Sequence, residues 1–118
     1  MGFSARTPRL PILPFNTSFN IIMKNTTVDI KWSRRIRERD VMCVICLQSD
    51  KRLNAHHLVP KNFEKWRHDM ENGITLCVHC HQFGKFSAHK NPLWFAQWMR
   101  VNKKYEFLKA MQRLEELE

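Results

Sequence analysis

Four cysteines in two pairs, Cys43-x-x-Cys46 and Cys77-x-x-Cys80, constrain this 118-residue chain more than any other feature. A CxxC turn brings two thiolates to one side of a tight knuckle, and two knuckles complete a tetrahedral S₄ site. Zinc suits such a site because it is redox-inert, borderline-soft and content with four sulfurs. The stretch between the pairs, positions 47–76, must loop out and return, which makes the ion a clasp. Four ligands leave no open position, so this zinc is expected to be structural. Iron–sulfur ligation, a redox dithiol and coincidence are the alternative readings. A secreted disulfide scaffold would need an export signal, and Pro8, Pro11 and Pro14 interrupt any apolar run near the N-terminus. The chain is therefore expected to be intracellular, in a reducing cytoplasm where paired CxxC means metal before disulfide. No run of about 18 apolar residues is present, so no membrane-spanning segment is expected.

Lys and Arg number 20 against 11 acidic residues, a net charge of +9. Such a balance fits a polyanionic partner, above all nucleic acid, although basic surfaces also serve solubility alone. Residues 1–28 carry no acidic side chain and read as a flexible arm with one strand-like piece, "FNIIM" at 19–23. A start at Met23 would make everything before it an optional extension. Residues 29–40 read as a helix capped by Asp29, with Trp32 and Ile36 on one face. Lys31, Arg34 and Arg35 surround that face and are assigned to phosphate contacts, against the plainer reading of a solvated surface.

Residues 41–58 read as a β-hairpin turning at Ser49-Asp50, and 60–73 as a short helix or long loop ending at Asn72-Gly73. "ITL" at 74–76 is strand-like, and a short helix follows from Cys77 to Gly84. Asn91-Pro92 opens a last helix, with Asn91 as cap. Its stripe of Trp94, Trp98, Val101, Tyr105, Leu108 and Met111 would pack on the domain or, failing that, form a homodimer. The expected units are the arm at 1–28, a central domain at 29–90 and a helical extension at 91–118.

The stretch "NAHHLVP" sets His56 beside His57. At the end of a strand, neighbouring side chains point to opposite faces, so the two imidazoles cannot easily chelate one ion. One would bind a metal and the other would face across whatever lies between them. His81 follows Cys80 directly and can point away from the clasp toward a second site. Asn72 falls between His57 and His81, nearer to the latter.

"CVIC…AHHLVP…ENGITLCVHCH" resembles the HNH nucleases with a zinc clasp, known among phage and bacterial endonucleases and related to homing enzymes. The resemblance covers roughly residues 32–90, about half the chain. It implies an α+β class with a small ββα-metal domain, here flanked by N- and C-terminal helices, and metal-dependent hydrolysis of DNA phosphodiesters. Carried over position by position, His57 matches the general base and His56 a ligand of the catalytic metal. Asn72 matches the middle residue that braces the loop and orients the base, His81 a further metal ligand, and Cys43, Cys46, Cys77 and Cys80 the structural zinc ligands. His56 stands where the family usually has Asp. Two imidazoles without a carboxylate favour Mn²⁺, Co²⁺, Ni²⁺ or Zn²⁺ over the oxygen-loving Mg²⁺.

A third ligand one helical turn after His81 would fall at Lys85, which is assigned instead to a phosphate. His89 is grouped with the nucleic-acid contacts too, and it reaches the metal only if the chain bends back at Gly84. His79, His68 and Asp69 read as surface groups, and Trp66, Phe83 and Phe86 as small-core residues. The expected activity is nicking or cutting of DNA with little base readout, in the cytoplasm of a bacterium or phage host. The competing readings are a zinc module that binds nucleic acid without cutting it, and an accessory of a packaging or recombination complex.

Overall fold

The structure, a computed structural model, describes the backbone of residues 15–117 and the side chains of residues 25–117. It holds helix α1 (Phe15–Asp40), strand β1 (Leu53–His57), strand β2 (Gly73–Cys77), helix α2 (Pro92–Asn102) and helix α3 (Lys104–Glu116). Single 3₁₀ turns lie at Glu64–Trp66 and Met70–Asn72, and one π-helical turn at His79–Phe83 follows β2. The class is α+β. Residues 1–14 of the expected arm lie outside the described residues.

Helix α1 starts well before the point that the sequence suggests, at Phe15 instead of Asp29. "FNIIM" is thus helical, not a strand, in a stretch with no Pro or Gly to halt the helix. Asp29 is consequently interior and caps nothing. Its carboxylate accepts from Arg67 Nη2 at 2.6 Å and meets His68 Nε2 at 2.6 Å, which ties α1 to the loop after β1. The expected Trp32–Ile36 face is real, and both side chains are buried.

The two strands pair antiparallel, Leu53 opposite Cys77 and His57 opposite Gly73. The partner of β1 is therefore β2 and not residues 41–48. That stretch is a run of turns, in which Leu47 adopts φ 62° and Val41, just after α1, φ 69°. Both are left-handed conformations that a strand cannot contain. The first knuckle still reaches the sheet, because Val44 N–H donates to Thr75 O at 3.0 Å. Gly73 is obligatory for packing: a Cβ there would collide with the Trp32 ring.

Across the opposite sheet face lies the main core, Ile74 and Leu76 against Phe95 and Met99 of α2. Asn91 caps α2 as expected, its side chain accepting from Trp94 N–H. The last helix is not continuous, since it breaks at Lys103. Nor does the predicted apolar stripe pack on the domain: Trp94 and Trp98 touch the core, but Val101, Tyr105, Leu108 and Met111 are exposed. Besides Phe107, which packs against the core, α3 is held by a polar stripe at i, i+4, i+8. Tyr105 Oη donates to Glu71 at 2.8 Å, Lys109 pairs with Glu71 at 2.8 Å and Arg113 with Asp69 at 2.7 Å. Phe83 and Phe86 are exposed too, whereas Trp66 is buried.

Burial pushes the Asp29 carboxyl up, but the bonds and charges of Arg67 and His68 outweigh it, so the net shift is downward from 3.8. A depressed carboxyl stabilises the fold above its unfolded pKa and ceases to do so as pH falls through the lower folded value. Asp29→Asn should cost about 1 kcal/mol at neutral pH. The deficit should shrink below pH ~4, which urea melts at both pH values would check; an unchanged deficit would refute the pairing.

Candidate functional site

The strand alternation decides where each histidine goes: His57 faces α1 and His56 faces α2. His57 stacks on Trp32 with ring centroids 4.0 Å apart and 14° between planes. Its Nε2 lies 3.0 Å from Arg67 O. A carbonyl can only accept, so Nε2 carries the hydrogen and Nδ1 keeps its lone pair. Burial lowers the His57 pKa against the opposing pull of that carbonyl, which favours the neutral ring.

His56 emerges on the other face, its ring 5.0 Å from His81, 5.2 Å from His89 and 5.1 Å from Phe95, edge to face in each case. His81 Nε2 and His89 Nε2 stand 2.9 Å apart. The ligand nitrogens of all three rings lie within 4.8 Å of one another. Two nitrogens bonded at ~2.1 Å to one ion are about 3 Å apart, so the trio fits a single divalent cation. His81 Nδ1 donates to Asn54 Oδ1 at 3.2 Å, which leaves Nε2 free to ligate. Burial, then the neighbouring rings His81, His89 and His57, takes His56 down to about 3. Burial, then His89, takes His81 to about 4. Both rings are neutral at physiological pH, as ligation requires.

His89, which the sequence groups with the nucleic-acid contacts unless the chain bends back at Gly84, stands beside the two expected ligands His56 and His81. The chain turns after His79–Phe83: Ala88 N–H donates to Cys80 O and His89 N–H to His81 O, at 2.9 and 3.1 Å. Gly84 permits that return, because a Cβ there would meet the His79 ring. A search for HxxxH misses it, since the pair is spaced i, i+8 and not i, i+4. His56, His57, His81 and His89 all line one cavity of about 460 Å³, with Lys61 and Asn62 also on its wall. Lys61 and Asn62 escaped the sequence reading, being two ordinary polar residues in a loop.

Asn72 lies away from the rings. Its Oδ1 accepts from Val59 N–H at 2.8 Å, and its Nδ2 donates to Val59 O and Trp66 O at 3.0 and 3.2 Å. It pins the 58–72 loop, whose Arg67 carbonyl holds His57. Lys31, Arg34 and Arg35 are exposed on α1 and line neither this cavity nor the adjoining groove. Lys85 sits beside Phe86, 5.7 Å from its ring, and is likewise outside. His68 is engaged by Asp29, and His79 rests on Gly84.

The four cysteines are free thiols whose sulfurs lie within 4.8 Å of one another. Cys46 Sγ and Cys77 Sγ are 3.7 Å apart, too far for a disulfide. Sulfurs at ~2.3 Å from one tetrahedral ion would be about 3.8 Å apart, so zinc fits. Burial and the neighbouring sulfurs raise the Cys80 thiol. Four thiolates cannot gather there without a cation to offset their charge. Cys80→Ala should therefore unfold the domain. The purified chain should be colourless with about one tightly held zinc, and chelation should abolish its cooperative melt by circular dichroism. A folded, metal-free or iron-coloured protein would refute this.

Residues 43–83 match the model of a family described as HNH endonuclease. Among curated proteins, anaredoxin of Nostoc sp. (strain PCC 7120 / SAG 25.82 / UTEX 2576) is 38% identical over 39 residues, which cover 33% of this chain and 50% of that protein. The chain thus spans about half the length of the curated relative it matches. No solved structure matches it. None of the described helices is long and apolar enough to cross a membrane. The family match spans both knuckles, both strands and three of the four cavity histidines, so residues 43–83 are similar to the HNH endonuclease domain.

Proposed function

We propose that the chain is a metal-dependent endonuclease that hydrolyses DNA phosphodiesters, with His57 as general base and His56, His81 and His89 as the ligands of one divalent ion. The observation that carries this reading is the meeting of four imidazoles on one cavity wall, three converging and the fourth held apart. The basic balance of the chain fits a polyanionic substrate.

His57 Nδ1 takes a proton from water, whose oxygen attacks the phosphorus. The P–O3′ bond breaks and the departing O3′ takes a proton from solvent, leaving a 5′-phosphate and a 3′-hydroxyl. A divalent ion bound to the trio would supply a Lewis acid for the charge that develops on the phosphate and departing oxygens. Trp32 and the Arg67 carbonyl fix the ring plane and tautomer of His57, so the base needs no reorientation. Asn54 does the same for His81. Lys61, on the cavity wall, is placed to meet a phosphate oxygen.

Supercoiled plasmid incubated with the protein and Mn²⁺ should be relaxed. His57→Ala should cut roughly a hundredfold more slowly while keeping its zinc and its fold. DNA binding without relaxation, whichever divalent ion is added, would instead favour a non-catalytic zinc module. His89→Ala should raise the metal concentration for half-maximal cleavage roughly tenfold or more. With imidazole ligands alone, sub-millimolar Mn²⁺ should outperform Mg²⁺ at the same concentration. Equal rates would count against the all-histidine ligand set.

A further inference from the structure

A second concavity, of about 600 Å³, adjoins the histidine cavity and shares Ala55, His81 and Gln82 with it. It runs along β1, which pairs with β2 on one side only. Its remaining wall includes Arg37 from α1 and Arg52 from the turn before β1. Arg37 uses Nε to reach Ser33 O at 3.2 Å, which leaves its two terminal nitrogens unspent among the described residues. Neither Arg37 nor Arg52 pairs with a carboxylate among the described residues, whereas Arg39, Arg67 and Arg113 all do.

We infer that this groove is a subsite for the DNA strand beyond the scissile phosphate, in which Arg37 and Arg52 each bind a flanking backbone phosphate. The inference rests on the nuclease reading above. It moves the phosphate contacts from the outward side of α1, where Lys31 and Arg34 stand, to the flank that borders the metal ligands. Charge supports the occupant: two cations with free donors face a polar trough, and no described carboxylate neutralises them. Continuity supports it as well. His81 forms part of both walls, so a strand whose phosphate sits at the histidines must leave the cavity past Gln82 and Ala55, directly into the groove. Guanidinium groups suit the task because their planar forks bind phosphate oxygens two at a time.

The test uses two substrates, a short DNA duplex and bis(p-nitrophenyl) phosphate, a single diester with no flanking phosphates. In the Arg37→Gln/Arg52→Gln double variant, cleavage of the duplex should fall roughly tenfold to a hundredfold, while hydrolysis of the small diester stays at the wild-type rate. The slope of log binding constant against log salt should become shallower by about 1.8, two released counterions' worth. Unchanged duplex cleavage and salt slope would overturn the inference. Equal loss on both substrates would overturn it too, because the arginines would then act on the chemistry or the fold. If the wild-type protein hydrolyses neither substrate, the nuclease reading fails separately. The salt slope of duplex binding, measured without added divalent ion, then still decides the groove.

Discussion

Everything in the arrangement depends on four sulfurs meeting across the long excursion between the two knuckles. A two-stranded sheet is marginal in water. Here β1 and β2 gain their setting from α1 on one face and α2 on the other, with a knuckle fastened at the strand end where Cys77 lies. The clasp sets the distance between residues 43–46 and 77–80, and the loop between them has no freedom but to bring His56 and His57 back beside the turn that carries His81. The core alone is small: Ile74 and Leu76 meet Phe95 and Met99, while Trp32 and Ile36 fill the other side.

The loop from 58 to 72 turns that frame into a site. Asn72 ties its two ends through Val59 and Trp66. Asp29 grips it through Arg67 and His68, and α3 holds it through Asp69 and Glu71. Trp32 Nε1 adds a bond to Asp69 O at 2.9 Å. All of these bonds converge on a loop with one backbone carbonyl of consequence, that of Arg67, which fixes the tautomer of His57. The C-terminal helix thus bears on the setting of His57 without lining its cavity.

What the sequence revealed was local. Period-2 alternation predicted that His56 and His57 would part, and they do, because a strand leaves no alternative. The CxxC repeat announced one long-range meeting as well, the sulfur cluster, because each knuckle supplies half of a four-sulfur set. Readings that failed were long-range. The hairpin partner of β1 was misjudged because residues 41–48 are apolar enough for a strand, while the left-handed turns at Val41 and Leu47 carry no Gly to announce them. The mooring of α3 was hidden by the habit of seeking apolar stripes before charged ones, whereas the bend at Gly84 that returns His89 to the other rings is the condition its reach required. Helix α1 ran longer than expected because residues 15–28 hold no Pro or Gly to halt it.

The π-helical turn at His79–Phe83 sets Cys80 in the sulfur cluster and His81 in the imidazole cluster although one peptide bond joins them. Neighbouring residues on so short a turn move as one rigid lever. Whatever loosens the sulfur end, an oxidant or a competing thiophilic metal, swings the imidazole at the other. The imidazole cluster, whose cavity holds no redox-active side chain of its own, would inherit the redox vulnerability of its anchor.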